Sequence, residues 1–215
     1  MENNQSIFSN IALYFKNEFQ KRVLRKEFYI CSYGGSGSWM LTRFLQQYGK
    51  AYHIHSRTPP KKLKYPEGEH FGNKTNMNKK ARIIFIYSIP EHSVRSSNSF
   101  SLQHWENIGV ENHEQMPRNA ETYFSENKDR IRFEEFFDNY SNTDRSYSVI
   151  FVNFHKLWEN QVGLFKLLGL PPDAKLPEKR DPRKGQYILM PVYQSFRERL
   201  EKLDPVFISR GKPLG

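Results

Sequence analysis

Three runs of apolar residues constrain the fold of this chain more than any other feature of its sequence. They are FYICSY at 28–33, ARIIFIYS at 81–88 and SVIFV at 148–152, and AYHIH at 51–55 is a shorter strand candidate. Strands that are apolar throughout are typical of parallel sheets that are covered on both faces. Because helical patterns separate these strands, the sequence predicts a single-domain, three-layer α/β/α fold over residues 1–215 with a central parallel sheet.

Helical periodicity fills much of the chain between the strands. An amphipathic helix is predicted within the N-terminal segment 1–27, where apolar residues recur at steps of three and four from Ile7 to Val23. Other helices are predicted at 39–49, 90–100, 129–140, 155–169 and 191–203. Two stretches, 56–80 and 101–145, are polar with little periodicity outside one helix, so they are the expected variable regions of the chain.

The formal net charge of the 215-residue chain is +10, which predicts a surface that attracts anions. Nucleic acid, anionic lipid, a polyanionic glycan and a phosphorylated nucleotide all fit this charge. No helix-turn-helix, zinc-finger or RNP-like signature occurs, so no specific nucleic-acid partner is expected. The sequence has no apolar run long enough for a membrane span and no secretion-signal pattern at its N-terminus, which predicts a cytoplasmic protein. The single Cys31 excludes an intramolecular disulfide.

A loop of small residues, GGSGS at 34–38, lies between the first predicted strand and a predicted helix. Its glycines permit backbone conformations closed to other residues, and the helix offers unpaired N–H groups at the positive end of its dipole. The serine hydroxyls add donors, so this P-loop-like segment predicts a phosphate or sulfate site. A turn that only requires small residues is the alternative. The loop lacks the lysine of a Walker A motif and does not fit G-x-G-x-x-G.

With this loop, the chain resembles the sulfotransferases that use 3′-phosphoadenosine 5′-phosphosulfate (PAPS). In that family a loop of the type (K/R)-(S/T)-G-(S/T)-(S/T) holds the 5′-phosphosulfate, and Ser36, Gly37 and Ser38 match its core. Gly35 stands where the family has Lys or Arg, and Trp39 stands where a small hydroxyl residue is usual. The nucleotide-binding residues that the resemblance implies in this segment are Gly34, Gly35, Ser36, Gly37, Ser38 and Trp39.

A second signature of the family follows the strand at 81–88. It has the form R-(D/N)-P-x-x-x-x-x-S, and Pro90 and Ser96 match its proline and its phosphate-binding serine. Ser88 occupies the arginine position, which is a departure from the family pattern. The neighbouring Arg95 is the candidate that replaces the lost charge at the 3′-phosphate.

Two later segments continue the resemblance in the family order. Phe154, in the segment after the strand at 148–152, matches the aromatic position that the family associates with adenine. The sequence Arg183-Lys184-Gly185 matches the loop that closes over the 3′-phosphate. Together the four matches cover roughly residues 28–185.

The resemblance implies transfer of a sulfuryl group from PAPS to a hydroxyl acceptor, without a metal ion. The S-G-S loop is closer to carbohydrate sulfotransferases than to those for small phenols, so a glycan acceptor is implied, contacted by 56–80 and 101–145. His55 lies near the position of a family catalytic histidine and is the implied base, and Ser38 is the second implied catalytic residue. A structural role in hydrogen bonding is the alternative for His55.

The absence of a cationic side chain at Gly35 leaves two interpretations open. In the first, Arg57 or a lysine of KKLK at 61–64 supplies the charge from another direction. In the second, the chain is a relative that binds a nucleotide or a polyanion and catalyses poorly or not at all. His53 and His55 form no larger ligand cluster in the sequence, so no metal site is expected, and the sequence does not indicate an oligomeric state.

Overall fold

The structure is a computed structural model that describes residues 26–54, 56–59, 81–96, 102–179 and 188–211. Within these ranges the chain forms seven α-helices and one five-stranded sheet, which confirms the predicted α/β class. The predicted helix of segment 1–27, most of the region 56–80 and the predicted loop at 183–185 lie outside the described residues.

Four strands of the sheet are parallel and the fifth is antiparallel. The strands are β1 (Glu27–Cys31), β2 (Lys50–Ile54), β3 (Arg82–Tyr87), β4 (Val149–Asn153) and β5 (Val206–Ser209). They lie in the order β2-β1-β3-β4-β5, with Ile30 opposite Ile84 and Ile84 opposite Ile150 across the three central strands. Because β5 runs antiparallel to β4, the prediction of a parallel sheet is right for four strands and wrong for the fifth.

Helices and short turns connect the strands. The α-helices are α1 (Ser38–Leu45), α2 (Pro90–Ser96), α3 (Leu102–Asn107), α4 (Ala120–Glu126), α5 (Phe133–Ser141), α6 (Gln161–Leu168) and α7 (Gln194–Glu201). Single 3₁₀ turns occur at His113–Gln115, Phe154–Lys156 and Pro191–Tyr193. None of the helices in the described ranges combines the length and the apolar composition that a membrane span requires.

Apolar side chains cover both faces of the sheet. For this reason polar and apolar residues do not alternate along the central strands. Along β3, Ile84 belongs to one buried cluster and its neighbour Phe85 to the other, because successive side chains of a strand point to opposite faces. The cluster around Ile84 includes Phe44 of α1 and Phe165 of α6, whose rings stack at 5.2 Å. The cluster around Phe85 is rich in aromatic residues from α4, α5 and α7.

Several elements of the structure differ from the sequence prediction. Strand β5 was not predicted, because its four residues lie at an edge of the sheet with partly exposed side chains. Helices α3 and α4 lie inside the polar region 101–145. Only two side chains of α4, Tyr123 and Phe124, are buried, so its periodicity is weak, although Asn119 caps it by accepting a bond from Thr122 N at 2.8 Å.

The helix predicted at 155–169 is shorter in the structure. A 3₁₀ turn and a further irregular turn precede α6, which begins at Gln161. Gly169 ends α6 in the left-handed conformation, with φ 62°, as its position in the sequence predicts.

The strand order reverses direction at β1. From β1 the chain passes through α1 to β2 on one side of β1, whereas β3 pairs with β1 on the other side. In open α/β sheets, ligands bind outside the carboxyl ends of the strands at such a reversal. The segments that leave β1 and β3, residues 32–37 and 88–89, therefore flank the position where the topology favours a ligand.

Candidate functional site

The glycine-serine loop, residues 32–37, connects the carboxyl end of β1 to the first residue of α1. Gly34, Gly35 and Gly37 all have left-handed backbones, with φ values of 89°, 62° and 74°. Gly37 is also the N-cap of α1, so the loop turns directly into the free N–H groups of the first helical turn. The sequence prediction of a strand, a glycine loop and a helix is confirmed for this segment.

Gly35 packs too tightly for any side chain at that position. A Cβ atom there would lie closer than 3.0 Å to three backbone atoms of Ser93 in α2, the carbonyl oxygen among them. This backbone therefore excludes the lysine or arginine that the resembling family carries in its loop.

A cluster of buried serine hydroxyls joins the loop to the end of β3. Ser36 Oγ donates to Gly34 O at 3.1 Å and lies 3.0 Å from Ser93 Oγ. Ser93 Oγ in turn lies 2.7 Å from Ser88 Oγ. All three serines are almost completely buried. The hydroxyl of Ser36, a predicted binding residue, is thus used to hold the loop in its conformation.

Ser38, the first residue of α1, forms a hydrogen bond with the imidazole of His53 in β2. His53 Nε2 lies 2.8 Å from Ser38 Oγ, and Ser32 Oγ donates to Ser38 Oγ at 3.0 Å. Ser32 and His53 together hold the Ser38 hydroxyl at the start of α1. The sequence prediction gave the catalytic role to His55, which lies outside the described residues. The histidine that the structure connects with Ser38 is His53.

Trp39 is the most exposed large side chain beside the loop. The ring is 59% exposed, with the His53 ring at 5.3 Å and the Arg43 guanidinium 5.4 Å from its centre. Trp39 is therefore not a core residue. An exposed indole next to a helix N-terminus can stack on a planar ligand.

Ser88 and Ser96 are bridged by His92 of α2. His92 Nδ1 lies 3.3 Å from Ser88 Oγ, and Ser96 Oγ lies 3.2 Å from His92 Nε2. Burial, with a smaller contribution from the nearby His155 imidazole, lowers the pKa of His92 to about 4. The neutral His92 thus lies close to Ser88, the position where the resembling family has an arginine. Arg95 lies in the last turn of α2, and it forms no ion pair with the described residues.

Phe154 forms an aromatic wall next to the loop. A Cβ at Gly37 would meet the Phe154 ring closer than 3.0 Å, so the ring lies directly against the loop backbone. The Phe154 ring stacks on His92 at 5.5 Å and contacts Trp158 at 5.5 Å. His155 completes the wall, with its ring 4.5 Å from that of His92. The structure thus brings Phe154 to the loop, where the resemblance implies an adenine-binding aromatic residue.

Arg57 does not supply the charge that is missing from the loop. The guanidinium donates to Gly109 O at 3.0 Å and to Ile131 O at 2.6 Å, and it lies 4.8 Å from the centre of the Phe136 ring. These bonds fix Arg57 between the segment after α3 and the start of α5, so the suggestion that it replaces the lysine is wrong. The other proposed cations and the closing loop, 61–64 and 183–185, lie outside the described residues.

Sequence reasoning missed three polar members of this site. His92 was not assigned a role, although His92 and Ser96 lie four residues apart and therefore share one face of the predicted helix. Ser93 and Ser32 carried no signal, because isolated serines are common in loops. Among the described residues, no three side chains of the metal-binding types converge on a common point.

Comparison of the chain with protein-family models, curated proteins and solved structures finds no match. The chemistry of this site is therefore the basis on which a function is proposed below. Its main features are a loop of left-handed glycines, the free N–H groups of α1, an exposed indole and an aromatic wall.

Proposed function

We propose that this chain is a sulfotransferase that moves a sulfuryl group from PAPS to a hydroxyl group of an acceptor, with a carbohydrate as the favoured class. One observation carries this proposal: the glycine-serine loop leads into the N-terminus of α1 beside the reversal point of a parallel sheet. Free N–H groups at a helix N-terminus attract phosphate and sulfate groups. The four sequence matches around this loop occur in the order found in PAPS-dependent sulfotransferases. This order favours PAPS over inorganic phosphate as the ligand.

The donor nucleotide would contact three parts of the site. The backbone N–H groups of Ser38 and Trp39 would hold the 5′-phosphosulfate at the start of α1. The exposed Trp39 indole and the Phe154 ring are the candidates for the adenine, because both lie against the glycine loop or its helix. Ser96, Arg95 and the segment at 183–185 are the candidates for the 3′-phosphate.

In the proposed reaction, the acceptor oxygen forms a bond to sulfur while the bond between sulfur and the 5′-phosphate oxygen breaks. The acceptor proton passes to a base, for which His55 remains the candidate, and the nucleotide leaves as 3′-phosphoadenosine 5′-phosphate (PAP). Ser38 would stabilise the transferred group with its hydroxyl, which His53 and Ser32 hold in position. Positioning and charge stabilisation govern transfers of this kind, so loop geometry is central.

A second function, nucleotide or polyanion binding without turnover, is favoured by the packing at Gly35. Three backbone atoms of Ser93 exclude a cationic side chain there, and Arg57 is bonded elsewhere. A cation at the leaving oxygen stabilises the transition state of related transfers. A site without this cation would still bind the nucleotide through its backbone N–H groups, but the rate of sulfuryl transfer would fall.

Transfer of labelled sulfur tests the two functions together. The full chain is incubated with PAPS that carries radiolabelled sulfur and with a panel of oligosaccharide and phenol acceptors. The first function predicts a labelled product, and the Arg183→Ala/Lys184→Ala variant should lose most of it. The Lys166→Ala/Lys202→Ala variant is the matched control, because it also removes two positive charges, from exposed positions in α6 and directly after α7.

The two functions are separated by PAP binding in the same samples. Binding of PAP without transfer to any acceptor supports the second function. If PAP does not bind to the folded chain, the sulfotransferase proposal is wrong, and only polyanion binding remains of the second function.

A further inference from the structure

A second concave site lies beside Arg57, three residues after the end of β2. This arginine pocket has a volume of about 250 Å³. It is lined by Arg57, Gly109, Glu111, Asn112, Gln115, Met116, Asp129, Arg130 and Arg132. The volume corresponds to about eight water molecules, so the pocket has room for one small ring and not for a nucleotide.

The backbone around the arginine pocket is shaped by three left-handed residues. Gly109, Asn112 and Arg132 have φ values of 69°, 52° and 57°. This conformation is unfavourable for a residue with a Cβ atom, so the surrounding contacts must hold Arg132 in place. Asp129 does so, because its Oδ1 accepts the Arg132 N–H at 2.7 Å.

The three arginines of the arginine pocket already have partners, and of those carboxylate partners Glu111 lines the pocket. Arg130 Nε bonds to Glu126 Oε2 at 2.5 Å, and Arg132 pairs with Glu111 at 3.5 Å and with Glu135. Arg57 bonds to backbone carbonyls, as described above. The pocket therefore presents guanidinium donors whose charges are largely neutralised.

Two amide side chains complete the polar lining. Asn112 and Gln115 are exposed, and neither amide group bonds to another side chain within the described ranges. Each amide offers both a donor and an acceptor, and Glu111 adds carboxylate acceptors. Met116 is the apolar side chain of the lining.

This lining discriminates between classes of small ligand. The carboxylates of Glu111 and Asp129 would repel a sulfate or phosphate group, and the three guanidinium groups would repel a cation. A hydroxyl group donates one hydrogen bond and accepts two, so it can use amide, carboxylate and guanidinium groups at once. A neutral ring with several hydroxyl groups is the ligand that satisfies both donors and acceptors without breaking an ion pair.

We propose that the arginine pocket binds one neutral polyhydroxylated ring, such as a pyranose or a cyclitol. This site is separate from the glycine-serine loop, although the two are close. A Cβ at Gly34 in the loop would lie 3.2 Å from the His104 ring. His104 O in turn accepts the N–H of Ile108, the residue before Gly109 of the pocket. The inference does not depend on sulfuryl transfer, and its test requires no nucleotide.

The test is an NMR titration of the full chain with methyl glucoside, methyl galactoside, N-acetylglucosamine and myo-inositol. At least one of these probes should bind with a Kd of about a millimolar, the affinity expected for a single ring. Gln115→Ala should weaken that binding by roughly three- to tenfold, the effect of one lost hydrogen bond. Glu114→Ala is the matched control, because Glu114 is an exposed neighbour in the same 3₁₀ turn but does not line the pocket.

A second variant separates binding from folding. Asn112→Gly removes the amide and keeps the left-handed backbone, so it should weaken binding to a similar extent while the free energy of unfolding stays unchanged or rises. Three results would overturn the proposal: no binding of any neutral probe, binding of sodium sulfate that the neutral probes do not compete with, or equal weakening by Glu114→Ala.

Discussion

The Nε2 atom of His53 and the Oγ atom of Ser38 lie 2.8 Å apart, joining the end of β2 to the first residue of α1. This bond crosses the gap between two adjacent elements at the carboxyl edge of the sheet. It fixes the hydroxyl of Ser38 at the start of the helix whose free N–H groups are the proposed anion site. The geometry of that site therefore depends on a residue outside the glycine loop.

The His53–Ser38 bond is expected to stabilise the fold as well as the site. A double-mutant cycle of His53→Ala and Ser38→Ala should give a coupling free energy of about 1 kcal/mol, the value of one side-chain hydrogen bond. Urea unfolding of the wild type, the two single variants and the double variant measures it. Additive effects of the two substitutions would show that the bond does not form in solution.

Gly35→Ala should destabilise the fold by at least roughly 2 kcal/mol. The new Cβ atom combines a left-handed backbone with a collision against the Ser93 carbonyl, which is backbone and cannot rotate away. Gly163→Ala is the control, because the space around Gly163 in α6 is open and alanine favours a helix by up to about 1 kcal/mol. Chemical denaturation of both variants checks this, and a stable Gly35→Ala would mean that the loop does not pack on α2 as described.

The stability of the protein should fall between pH 7.5 and pH 5 because of His92. Its pKa of about 4 in the folded state lies below the usual 6.5, so the unfolded chain binds more protons in this window. The stability associated with neutral His92 is present above pH 6.5 and decreases as the pH falls toward 4. The expected loss at pH 5 is about 2 kcal/mol. His92→Asn should remove most of this pH dependence in urea unfolding curves, and an unchanged slope would contradict the burial of His92.

Two arginines of α7 should differ sharply in their contribution to stability. Arg197 pairs with Glu91, a completely buried carboxylate that also accepts the Met190 N–H at 3.0 Å. Arg197→Ala leaves that carboxylate without its cation and should cost about 3 kcal/mol or more. Arg199→Ala breaks exposed ion pairs and a contact with the Phe137 ring, and it should cost only about 1 kcal/mol. Equal losses in the two denaturation curves would rule out a special role for the buried pair.

The strands of this chain could be predicted from sequence because burial on both faces leaves a continuous apolar signal. The runs at 28–33, 81–88 and 148–152 contain β1, β3 and β4 almost to the residue. Strand β5 gives no such signal, since its side chains are half exposed at an edge. The antiparallel direction of β5 depends on how the chain returns to the sheet after α7. No local sequence pattern predicts this return.

The candidate site was predictable in part. The glycine loop could be recognised because left-handed backbone conformations favour glycine, and Gly34, Gly35 and Gly37 adopt them. The bond from His53 to Ser38 could not, because it depends on the pairing of β2 with β1 and on the rotamers of both side chains. Sequence spacing did not indicate whether His53 or His55 would face the loop.

Calorimetric titration of the full chain with PAP tests the proposed nucleotide site most directly. The proposal predicts a Kd in the micromolar range. It also predicts binding at least about tenfold weaker for adenosine 5′-phosphate, which lacks the 3′-phosphate and its charge-assisted hydrogen bonds. Equal affinity for the two nucleotides, or no heat of binding for PAP with the folded chain, would contradict the account.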